Sequence, residues 1–139
     1  MKTIHDNLLK EFGDKKLLFL ENDYGLYHSV GNFYKWVREN KIKHNALFCV
    51  DKLPIDYVME QVGWWDVIVF ETQWVGEAAS ILKEKIALLK DPKIILECYC
   101  YEPSWYRKPK GVVHTVFTLE CSEDNKSIED WELTKLKSK

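Results

Sequence analysis

Apolar residues along this chain follow two rhythms, and the switches between them mark out the elements. Ile4, Leu8 and Phe12 recur at helical spacing, so Met1 to Phe12 reads as a short helix stopped by Gly13 and Asp14. Lys16 to Glu21 (KLLFLE) is a continuous apolar run bounded by charge, the pattern of a strand covered on both faces and the best candidate for a central strand. From Leu26 to Asn40 the period returns to that of a helix, with Val30, Phe33, Tyr34 and Val37 on one side and Lys35, Arg38 and Glu39 on the other. Asn45 to Val50 (NALFCV) is a second buried strand, closed by Asp51. Pro54 then opens a brief helix carrying Ile55, Val58 and Met59, which Gly63 ends.

Asp66 to Glu71 (DVIVFE) is rich in β-branched residues and is the clearest strand. Glu77 to Lys90 follows as a long helix with Ala78, Leu82, Ile86 and Leu89 aligned, and Asp91-Pro92 breaks it. Lys93 to Tyr101 (KIILECYCY) and Val112 to Cys121 read as a fourth and a fifth strand on either side of the turn-rich EPSWYRKPKG. Ser127 to Asp130 has the S-x-x-D form of a capping box, which predicts a last helix bearing Ile128, Trp131, Leu133 and Leu136.

Alternation of strand and helix through the first ninety or so residues predicts parallel strands joined by crossovers, with helices on both faces. The expected fold is therefore α/β, a three-layer, doubly wound, Rossmann-like or flavodoxin-like domain with a mainly parallel sheet of about five strands. The link between the fourth and fifth strands is short and rich in proline for a crossover helix, which allows this last pair to run antiparallel.

Composition narrows the picture. At 139 residues the whole chain fits one domain, and 46% hydrophobic with 30% charged residues is enough to build a packed core. A net charge of −2 from 20 basic and 22 acidic residues gives no overall field toward nucleic acid or an acidic membrane, though a local basic patch stays open. No apolar run reaches the roughly 18 residues of a membrane span, and Asp6, Glu11 and Asp14 do not fit a signal peptide, so the expected location is the cytoplasm. Cys49, Cys98, Cys100 and Cys121 all lie in apolar segments and read as reduced, buried thiols. Cys98 and Cys100 on one strand face could grip a soft metal beside Cys49 or Cys121, but no C-x-x-C pair is present and no metal site is assigned.

Ligands of open parallel sheets bind beyond the carboxyl ends of the strands. Here those ends carry Glu21, Asn22 and Asp23, then Asp51, then Glu71, Thr72 and Gln73, and then Glu102. Such residues also cap helices and form turns, the commoner reading for Asn22 and Asp23. Glu21 and Glu71 each end an apolar run, where a charge costs several kcal/mol unless it is paired or solvated, and two such acids on neighbouring strands could bind a cation or a ribose. There is no glycine-rich phosphate loop, nucleophile elbow or H-E-x-x-H helix. His28 and Ser29 could face the cleft, with His28 as acid, base or anion donor, or as a packed side chain; His5, His44 and His114 receive no role. Trp64, Trp65, Trp74, Tyr101, Trp105 and Tyr106 fall in or beside expected loops, with Arg107, Lys108 and Lys110 following. They either cover the sheet ends or form a contact surface, for which Trp105, Tyr106 and Arg107 are the candidate partner-binding residues.

The stretch Leu20-Glu21-Asn22-Asp23-Tyr24-Gly25 resembles the first motif, L-E-x-G-x-G, of class I S-adenosylmethionine-dependent methyltransferases. Asp51 falls where that family places the acid that holds the cofactor ribose, and DPKIILECYCYEP is similar to its fifth strand after a Pro/Gly turn. The resemblance implies S-adenosylmethionine held over Glu21, Asp23, Gly25, Asp51 and Glu71, with methyl transfer driven by positioning donor and acceptor in line. Asp23 stands at the family's first glycine, which implies a degenerate relative. The chain is also similar to response-regulator receiver domains, with Glu21 at a metal-binding acid and Glu71 at the phosphoacceptor position. That resemblance implies a non-catalytic regulatory or protein-interaction module.

Overall fold

Apolar runs need cover on both faces, and every one of them becomes a strand of the same sheet. The computed structural model describes residues 2–21, 29–71, 77–99, 113–121 and 128–136, the side chains of Ser29, Glu71 and Ala79 excepted. Strands β1 (Leu17–Glu21), β2 (Asn45–Cys49), β3 (Val67–Glu71), β4 (Ile94–Tyr99), β5 (Thr115–Glu120) and β6 (Glu132–Lys135) form a six-stranded sheet in the order β2-β1-β3-β4-β5-β6. Helices α1 (Ile4–Phe12), α2 (Ser29–Glu39), α3 (Ile55–Val62) and α4 (Glu77–Ala87) cover it. The architecture is α/β with a mostly parallel sheet, and the 2-1-3-4-5 order of its first five strands is the flavodoxin-like one.

Strand alternation sorts the core into two layers. Leu17 and Phe19 of β1 and Val67 and Val69 of β3 face α1 and α2, meeting Leu8, Phe12, Phe33, Trp36 and Val37. Leu18, Leu20, Ile68 and Phe70 face α3 and α4, meeting Val58, Val62, Leu82 and Ile86. The first layer is aromatic: Phe12 lies edge-on to Phe117 with centroids 5.3 Å apart, and Phe33 stacks on Trp36 at 5.7 Å. Thr3 caps α1 in a two-way box with Asp6, and the helix stops at Gly13, where a Cβ would sit 2.5 Å from the carbonyl oxygen of Leu9.

The structure corrects the sequence reading at three places. First, β4 and β5 run parallel, with Ile94 opposite Thr115 through Tyr99 opposite Glu120. Second, the expected last helix is a single 3-10 turn at Ile128–Asp130 followed by β6, which pairs antiparallel with β5 from Phe117↔Lys135 to Glu120↔Glu132. The outer edge of β5 would otherwise expose its backbone groups, and Trp131 and Leu133, two residues apart, fit the period of a strand packing on the first core layer. Third, Cys49 is exposed at the end of the edge strand β2, while Cys98 and Cys121 are buried free thiols as expected. Cys100 lies outside the described residues. No helix among the described residues is long and apolar enough to cross a membrane.

Candidate functional site

Three parallel neighbours, β2, β1 and β3, bring Asp51, Glu21 and Glu71 to one edge of the sheet. Glu21 ends β1 in register with Cys49 at the end of β2, and Glu71 ends β3 in register with Cys98 of β4. Asp51 follows in the 3-10 turn Val50–Lys52 and is exposed to solvent. From β1 the chain crosses to β2 through α2 on one face; from β3 it crosses to β4 through α4 on the other. Adjacent strands whose crossovers diverge in this way leave a crevice at their carboxyl ends, the topological switch point.

Glu21 is only 3% exposed. By strand alternation it belongs to the α2 side, one step beyond Phe19. A carboxylate so deeply placed at a strand end is costly to desolvate, so what it contacts at the rim matters to folding as well as to any ligand. The remaining residues assigned to the rim by sequence, Asp23, Gly25, His28, Thr72, Gln73 and Glu102, lie outside the described residues. So do Trp74, Tyr101, Trp105, Tyr106, Arg107, Lys108 and Lys110. Of the remaining aromatics, Trp64 is 70% exposed, while Trp65 packs against the second core layer.

A second polar group lies on the α4 side of the sheet and received no role from sequence. Glu97, in the middle of β4, is 1% exposed and faces Lys83 of α4. Burial pulls the Lys83 ammonium below its ordinary range and Glu97 pulls it back up, while its Nζ stands 5.1 Å from the centre of the Phe70 ring. Nearer the strand ends, Tyr99 Oη donates to Glu120 Oε2 at 3.3 Å, and burial followed by the Glu120 charge pushes its hydroxyl up to about 12. The one sequence signal for this group is Glu97 interrupting the apolar run KIILECYCY.

At the opposite, amino edge there is a cleft of about 420 Å³ lined by Asp14, Lys15, Asp66, Asp91, Lys93 and Thr115 among others. Its acids are engaged already: Asp66 Oδ2 accepts the Lys16 backbone N–H at 3.0 Å, Asp91 lies 3.5 Å from Lys93 Nζ, and Asp14 lies 3.5 Å from Lys15 Nζ. Among the described residues no group of three or more His, Cys, Asp or Glu side chains is placed to hold a metal ion. Topology instead favours the carboxyl rim as the ligand site.

No protein-family model matches the chain, and no curated protein and no solved structure shows significant similarity to it.

Proposed function

We propose that the carboxyl rim at β2, β1 and β3 binds a nucleoside-type cofactor, with S-adenosylmethionine as the specific ligand. The supporting observation is the arrival of Asp51, Glu21 and Glu71 at neighbouring parallel strand ends around the β1/β3 switch point. The donor set suits such a ligand. Asp51 is an exposed carboxylate that can accept two hydroxyls of a ribose, and Glu21 supplies a second, buried acid at the end of β1. A bound S-adenosylmethionine would supply an electrophilic methyl group, and the protein's part in a methyl transfer is to hold the acceptor in line and keep water out.

The test is direct. Titrating S-adenosylmethionine or its demethylated product should raise the melting temperature, because ligand at a hundredfold excess over Kd stabilises by about 2.7 kcal/mol. Asp51→Ala should abolish the shift, measured against the variant's own unliganded melting temperature. Absence of any shift at millimolar ligand sinks this reading.

The 2-1-3-4-5 strand order favours a second reading, a receiver-like regulatory or protein-interaction module in which Glu71 occupies the phosphoacceptor position and Trp105, Tyr106 and Arg107 contact a partner. Its expected outcome is a specific co-purifying protein that Trp105→Ala or Arg107→Ala releases.

A further inference from the structure

We draw no further inference here: the strongest candidate, the surface patch of exposed Trp64, Leu88 and Val113 where α3 and α4 end and β5 is about to begin, carries nothing because no feature of the structure shows what covers it.

Discussion

His114 Nδ1 accepts the backbone N–H of Lys93 at 3.0 Å, across 21 positions of sequence and inside a fully buried setting. Its other ring nitrogen meets the carbonyl oxygen of Ile86 at 2.9 Å, so the partners assign a neutral ring protonated on Nε2. One side chain thus ties the entry to β5 to the last turn of α4 and the start of β4. Lys93 Nζ adds a tie to the carbonyl of Gly63 at 3.0 Å. His114→Phe should keep the volume but leave the buried Lys93 N–H bare, while the Ile86 carbonyl keeps the Leu89 N–H at 3.1 Å, costing about 1–3 kcal/mol in chemical denaturation. A loss below about 1 kcal/mol would show that the ring only fills space.

Lys41 offers a stabilising change. It follows α2 with φ of 55°, the left-handed region, and the chain closes behind it as Ile42 N–H bonds Val37 O at 3.2 Å and Lys41 N–H bonds Arg38 O at 3.2 Å. A side chain there is strained by about 1 kcal/mol. Lys41→Gly should therefore raise stability by about 0.5–1 kcal/mol, and Lys41→Val should lower it, both read from urea midpoints.

Tyr99 predicts an alkaline limit. Its folded hydroxyl stands at about 12 against an ordinary 10.0, so between these values the unfolded chain has lost a proton that the folded chain keeps. Stability should fall with pH across that window. Glu120→Gln should bring the ultraviolet tyrosinate transition of Tyr99 down, with Tyr99→Phe identifying the signal.

Lys83 acts in the opposite sense at lower pH. Because burial sets its folded value below 10.5, the unfolded chain binds the extra proton in the interval between, and stability should rise with pH there. Lys83→Met should remove that rise. At neutral pH it should also destabilise the protein, because Glu97, 1% exposed, loses its cation, and adding Glu97→Leu should recover the loss. A neutral Lys83→Met would show that the ammonium contributes nothing to holding Glu97.

The rim was legible in the sequence because strand ends and chemistry coincide there. Glu21, Asp51 and Glu71 each terminate an apolar run, and once three such runs are parallel their ends must share an edge. Glu97 and Lys83 were not legible as a pair. A charge within an apolar run signals a buried polar group, but its counter-ion comes from a different element, 14 residues earlier, and no local period announces it. His114 escaped notice for the same reason, its partners being 21 and 28 residues away.

Sequence alone determined which segments would be strands and which helices, because burial imposes a local period on side chains whatever they pack against. That period is enough to obtain β1 to β5, α1 to α4 and their alternation. It did not show that β2, read as a buried strand, is a partly exposed edge. Tertiary structure decided the direction of β5 and turned Glu132–Lys135 into β6. Strand pairing is settled by distant backbone groups that must each find a donor or acceptor, and the nearest free edge when the C-terminal segment arrives is β5. Local spacing records how a residue is buried; only the assembled sheet determines against whom.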